Sequence, residues 1–199
     1  MKVTTQMIKD LRKATGAGIL EAKKILEQTG GDFDKAIDEL RKKGAARAAK
    51  RADREASEGL VQLYAHPGNR VGVILELNCE TDFVARNEAF QALAHDLTLH
   101  IAAMSPAYLS KEDVPAEDLE REMNVLREQA LAEGRPAEIV EKMITGRMRK
   151  FYEETCLLEQ PFVKDEKVKI SELITETIRV TGENIKVRRF NRYELGESL

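Results

Sequence analysis

Few residues in this chain have the type and spacing that chemistry demands. Its histidines are His66, His95 and His100, and its cysteines are Cys79 and Cys156. His95 and His100 stand five apart, poor spacing for sharing one metal on a helix face, and neither H-E-x-x-H nor a paired-cysteine zinc pattern occurs. Cys79 follows an apolar run and reads as a buried thiol, as does Cys156. There is no G-x-S-x-G and no P-loop; Thr15-Gly16-Ala17-Gly18 is glycine-rich but has no strand before it, so it reads as a helix end. Carboxylates are abundant and scattered over helix surfaces, so no acid–base pair stands out. No catalytic residue, metal ligand or cofactor is expected. One stretch stands apart: Asn78-Cys79-Glu80-Thr81-Asp82-Phe83-Val84-Ala85-Arg86-Asn87. It joins the end of a strand to a helix cap, and Phe83 and Val84 are apolar where a polar connection is expected. Two readings are open. Phe83 folds back over the sheet like a staple, or it is an exposed aromatic anchor with Asp82 beside it to accept hydrogen bonds.

Charge and composition narrow the classes. The 199 residues are enough for one or two domains with a real core. Hydrophobic residues are 42% and charged residues 34%, which excludes collagen, low-complexity disorder and a disulfide scaffold. No apolar run approaches the ~18 residues of a membrane helix, and no apolar stretch follows Lys2 to make a secretory signal. A soluble cytoplasmic protein is expected. The net charge of −3 hides an asymmetry. Residues 41–54 hold seven basic residues and one Asp, or +6, and residues 111–141 hold ten acidic and four basic, or −6. Such separation steers charged partners. Aromatics are only 5%, too few for a base-stacking platform on single strands.

The elements that must position these residues follow from periodicity. Residues 4–54 read as three short helices: Met7, Ile8, Leu11 and Ala14 after a Thr4 or Thr5 cap, then Ile19, Leu20, Ala22, Ile25 and Leu26, then Phe33, Ala36, Ile37 and Leu40 after Asp32. So few apolar residues make a small, marginal core. From Arg41 the residues turn small and basic, and a solvated helical linker is expected. Leu60–Tyr64 and Arg70–Cys79 read as a β-hairpin about His66-Pro67-Gly68-Asn69. Val71, Val73, Leu75 and Leu77 share one face. Asn87 caps a helix ending at Ser105-Pro106, and Pro115 and Pro136 suit the first turns of two more. The inward face of the first is Leu119, Met123, Leu126 and Ala130; that of the second is Ile139, Met143, Met148 and Phe151. Residues 158–168 look irregular. Ser171 caps a helix ending at Gly182, and Ile185–Tyr193 is an alternating strand. The expected fold is α+β: three N-terminal helices, a helical linker, and a core of antiparallel three-stranded sheet packed with helices. The domains expected are 1–54 and 55–199.

Three motifs are recognisable together. They are Leu11-Arg12-x-x-Thr15-Gly16-Ala17-Gly18 with Ala22-Lys23-Lys24, then Leu77-Asn78-Cys79-Glu80-Thr81-Asp82-Phe83-Val84-Ala85, then Gly182-Glu183-Asn184-Ile185 with Val187-Arg188-Arg189-Phe190. By them the chain resembles the bacterial elongation factor Ts family, the nucleotide-exchange factors of elongation factor Tu. The resemblance implies an N-terminal domain similar to ubiquitin-associated domains. It implies that Thr81, Asp82, Phe83 and Val84 displace magnesium from the partner, with Asp82 and Phe83 leading. It also implies docking on the partner's G domain through Arg12, Ile19, Leu20, Lys23 and Arg51; the family often has methionines where Ile19 and Leu20 stand. Only one core fits after residue 55, which resembles the short form of the family, a homodimer expected in a 2:2 assembly with elongation factor Tu. No cysteine lies near the final strand, so no tail disulfide is expected to join the copies. The function implied is exchange without bond chemistry: binding the GDP form, displacing Mg2+ and releasing GDP so that GTP can bind.

Three rival readings are a nucleic-acid module using residues 41–54, a ubiquitin-like-binding module built on the first helices, and a thiol enzyme using Cys79. The acidic 111–141 region and the shortage of aromatics oppose the first, so no direct nucleic-acid binding is expected. The second leaves the larger core without a task. Normal thiol reactivity would exclude the third.

Overall fold

The structure, a computed structural model, describes residues 3–133 and 137–197. The helix start expected at Pro136 lies outside the described residues. The chain divides into two compact units: one of residues 1–60, 78–93 and 172–186, the other of residues 61–77, 94–171 and 187–199. The fold is α+β, as the sequence patterns imply.

The first unit begins with α1 (Thr5–Thr15), α2 (Ile19–Gln28) and α3 (Phe33–Ala49). Thr4 caps α1 by accepting the Met7 N–H at 3.2 Å, and Asp32 caps α3 by accepting the Lys35 N–H at 3.1 Å. Gly16 closes α1 with φ 60°, returning its N–H to the Arg12 carbonyl at 2.7 Å; a left-handed closure of this kind suits glycine. Leu11, Ala17, Ala22, Ile25, Leu26, Ala36 and Leu40 form the buried cluster between the helices. Ile19 and Leu20, read from the sequence as part of that apolar face, are instead exposed, as is Ala14. The basic stretch after Arg41 is helical through Ala49 and mostly exposed, as expected, with two differences. The helix α3 runs unbroken through Ala49, and Gly44 is buried rather than solvated. The cause is Arg179 of a later helix, α8 (Ile170–Thr181). Its side chain is only 5% exposed, and its Nε–Nη2 edge donates to the two oxygens of the Glu176 carboxylate. A Cβ on Gly44 would lie 3.4 Å from the Arg179 Cδ, and one on Gly16 2.9 Å from its Nη2. Two glycines therefore make room for one buried guanidinium and its stem. The helix α8 starts at Ile170, so Ser171 lies inside it and is not its cap; it ends before Gly182, at φ 81°.

The second unit carries most of a three-stranded antiparallel sheet in the order β1 (Glu58–Ala65), β2 (Val71–Cys79), β5 (Lys186–Glu194). Val73, Leu75 and Leu77 are buried on one face of β2, while Ile74 points outward with Val61 and Leu63 of β1. The alternation expected in β5 slips by one residue. Arg188 and Arg189 are both exposed and both reach Glu76, at 3.5 and 2.7 Å. Two successive side chains on one face signal a local irregularity of the strand.

The remaining helices are α5 (Glu88–Met104), α6 (Ala116–Ala132) and α7 (Ala137–Thr155). Helices α6 and α7 pack along Leu126, Ala130, Val140, Ile144 and Met148. Of the inward residues expected on α7, Met148 is buried and Met143 and Phe151 pack against the cluster, while Ile139 is exposed and Val140 and Ile144 are buried. Residues 158–168, expected to be irregular, contain a small hairpin of β3 (Pro161–Phe162) and β4 (Asp165–Lys169), paired Pro161 to Lys169 and Phe162 to Asp165. A two-residue strand is too short to show a period.

His100 of α5 is fully buried. Its Nδ1 accepts the Val163 N–H at 3.2 Å, which puts the ring proton on Nε2, 2.9 Å from Gln160 Oε1. Burial holds its pKa below the ordinary 6.5, against the opposing effect of Gln160. The unfolded chain therefore binds the extra proton first as pH falls. The contribution of His100 to stability is expected to be complete above about pH 6.5 and to be lost as pH falls through the lower folded value. Urea midpoints across pH 5 to 8 check this: His100→Gln should flatten the acid-side decline, and an unchanged slope contradicts it.

Candidate functional site

Strand β2 delivers the 78–87 segment from a buried end, since Asn78 and Cys79 are both buried. Thr81 then breaks the strand and caps α4 (Asp82–Ala85), its hydroxyl accepting the Val84 N–H at 3.4 Å. The connection between strand end and helix cap is thus a single helical turn. Phe83 is its second residue and is 79% exposed. It does not fold back as a lid, which removes one of the two readings left open. Asp82 pairs with Arg86 at 2.7 Å across one turn. Both side chains are substantially exposed, so the pair contributes little and exchanges readily for other partners. Val84 is half-buried.

A hydrogen-bond network fixes the base of this turn. Glu183 Oε2 accepts the N–H groups of Glu80 and Thr81 at 3.1 and 3.0 Å, and its Oε1 accepts the Thr81 hydroxyl at 2.7 Å. In return, Glu80 Oε1 accepts the Asn184 N–H at 2.7 Å, and its Oε2 lies 3.4 Å from Arg54. Asn184, itself buried, donates its amide to the carbonyls of Arg54 and Ala52 at 2.8 and 3.4 Å. The Cys79 thiol donates to the Thr81 carbonyl at 3.1 Å. Burial, with the Glu183 charge adding to it, pushes this thiol up to about 11. A thiol held protonated is a poor nucleophile at neutral pH, which weighs against the thiol-enzyme reading.

The second candidate surface lies at the α1–α2 corner. Arg12 donates from Nε to the Ala17 carbonyl at 3.1 Å, which draws its side chain over the corner. Ile19 is 58% and Leu20 83% exposed. Lys23 is one turn further on and shares their helix face; its contact with Glu27 is a loose 3.8 Å. Arg12, Ile19, Leu20 and Lys23 are thus grouped by the fold. Arg51 is half-buried in the turns after α3, and among the described residues no hydrogen bond or ion pair joins it to that group. Both candidate surfaces belong to the same compact unit. The basic 41–54 stretch is partly neutralised: Lys42 pairs with Glu39, Arg47 with Glu21 and Arg54 with Glu80.

Sequence reasoning gave no role to Glu80, Glu183, Asn184 or Arg179. The only signals were that Glu80 and Gly182-Glu183-Asn184 belonged to recognisable motifs. Among the described residues no group of three or more His, Cys, Asp or Glu could hold a metal ion, and no helix is long and apolar enough to cross a membrane.

Comparison with known proteins adds to this geometry. The family model for elongation factor TS matches residues 2–197. The elongation factor Ts of Desulfitobacterium hafniense is 55% identical over 198 residues, covering 100% of this chain and 91% of that protein. The elongation factor Ts of Carboxydothermus hydrogenoformans is 53% identical over 197 residues, covering 99% of this chain and 91% of that protein. That of Heliobacterium modesticaldum is 53% identical over 197 residues, covering 99% and 92%.

Proposed function

This chain belongs to the elongation factor Ts family, and from that premise we propose that it is the guanine nucleotide exchange factor of elongation factor Tu. It binds the GDP form, displaces Mg2+ from the partner's nucleotide site and promotes GDP release so that GTP can enter. It makes and breaks no bonds itself. The observation that carries the reading is Phe83, a large aromatic left exposed on a capped helical turn whose base is fully bonded. Exposed aromatics with a rigid base are what an inserting anchor requires. Phe83 wedges beside the partner's magnesium site and Asp82 leaves Arg86 to accept hydrogen bonds there, with Thr81 and Val84 setting the turn. Magnesium neutralises phosphate charge, so its loss loosens the diphosphate. Because the binding energies are linked, nucleotide and factor weaken each other equally. The test is release of fluorescent GDP from elongation factor Tu with and without this chain; an unchanged release rate sinks the reading.

Docking falls to the exposed Ile19 and Leu20, with Arg12, Lys23 and Arg51 as charged partners, and residues 1–54 serve as the docking domain before the 55–199 core. Lys23→Ala is expected to slow association several-fold at low salt and to flatten its salt dependence, because an exposed charge acts mainly through steering. Association rates measured from low to high salt check this, and an unaltered salt slope contradicts it.

The chain acts as a cytoplasmic homodimer, in a 2:2 assembly with elongation factor Tu. Support comes from the outer sheet face, where Val61, Leu63, Ile74 and Tyr193 expose large side chains on neighbouring strands; contiguous apolar surface of this kind marks interfaces. Leu63→Glu is expected to convert the dimer to a monomer in sedimentation. A parental chain that already sediments as a monomer overturns the dimer.

A further inference from the structure

A four-residue helix has no stability of its own, yet α4 must present Phe83 in one direction for it to enter a partner. What holds the turn comes from another part of the chain. The Glu183 carboxylate accepts three hydrogen bonds from Glu80 and Thr81, at 3.1, 3.0 and 2.7 Å. Bonds to an ionised acceptor are the stronger kind. The Thr81 hydroxyl is the hub: it donates to Glu183 and accepts the Val84 N–H that closes the helical turn. Glu80 answers by accepting the Asn184 N–H, so the two segments grip each other in both directions. The Gly182 turn, with φ 81°, turns the chain between α8 and β5 just before this carboxylate.

We propose that Glu183 is a positioning residue for exchange, acting through Thr81 to hold the Phe83 turn in its inserting geometry before the partner arrives. This rests on the reading of Phe83 as the inserting group. Glu183 contributes by preorganisation: order already present in the free chain is not lost on binding. Its removal therefore affects the step in which Phe83 acts more than docking at the α1–α2 corner.

The test uses the full chain and elongation factor Tu loaded with fluorescent GDP, reading the release rate at saturating factor and the concentration giving half of it. Glu183→Ala is expected to lower the saturating rate roughly tenfold, the equivalent of about 1.4 kcal/mol, with a small change in half-saturating concentration. Glu183→Gln keeps the shape and one acceptor oxygen for the Glu80 and Thr81 N–H groups, but it loses the charge and turns an NH2 toward the Thr81 hydroxyl, so it should restore only part of the rate. In a Phe83→Ala background, Glu183→Ala should cost no more than about twofold, because the group it positions is gone. If Glu183→Ala folds poorly by circular dichroism, Thr81→Val against Thr81→Ser makes the same comparison, with only Val slow. A Glu183→Ala rate equal to the parent, or an equal loss in both backgrounds, overturns the positioning role. A Phe83→Ala chain exchanging at the parental rate overturns the reading of Phe83 as the inserting group, and this proposal with it.

Discussion

Phe83→Ala slows stimulated GDP release by roughly 30- to 140-fold and leaves folding intact. That is the expected result, and both halves follow from exposure. In the free chain Phe83 is 79% exposed, so truncation removes almost no internal contact, and a surface change of this kind shifts stability by about 0.5 kcal/mol or less. On the proposed insertion the ring becomes buried, and burying a Phe contributes about 2–3 kcal/mol, or roughly 30- to 140-fold at about 1.4 kcal/mol per tenfold. On that reading Phe83 shares the load. Weakening nucleotide binding by ~10⁴-fold needs about 5.5 kcal/mol of coupling, more than one ring supplies. Asp82 and the docking corner must contribute the rest, so residual exchange should survive the substitution. Stopped-flow release of fluorescent GDP, with a thermal melt of each variant, checks both halves. A rate within twofold of the parent contradicts the wedge.

How much of this was legible in the sequence depends on range. The capped helices α1 and α3 and the closing Gly16 were readable because each signal lies within a few residues of its effect. Phe83 stood out for the same reason, as an apolar residue in a connection. Its exposure was not readable, because a staple and an anchor have the same local sequence. The partners of Thr81 were out of reach in principle: Glu183 lies about a hundred positions away, and no periodicity couples two turns. Gly44 looked like linker because its neighbour Arg179 is contributed by a distant helix. The β3–β4 hairpin and the Arg188–Arg189 slip were missed for a different reason. Each departs from a regular period by one residue or spans too few residues to establish one.

The three N-terminal helices provide a second large effect, separable from the first. Leu26→Ala is expected to cost about 2–5 kcal/mol, the usual range for emptying a buried leucine site. The cluster has little to absorb it. Leu26 is fully buried among Leu11, Ile25 and Leu40, and the other buried members are the alanines 17, 22 and 36. Alanines let the helices approach closely and cannot themselves swing into the cavity; larger side chains such as Met7, Ile8 and Phe33 pack against the cluster only from its partly exposed edge. A domain's total stability is only about 5–15 kcal/mol, so the loss should be plain as a lowered urea midpoint. Its functional signature should differ from that of Phe83→Ala. Ile19, Leu20 and Lys23 lie on the same helix as Leu26, so loosening α2 disperses the docking group while Glu183 still holds the Phe83 turn. The half-saturating concentration of factor should rise about tenfold or more, with the saturating release rate within a few-fold of the parent. A saturating rate that falls as far as in Phe83→Ala would mean that docking and insertion are one act, and that the division of labour between the two surfaces is wrong.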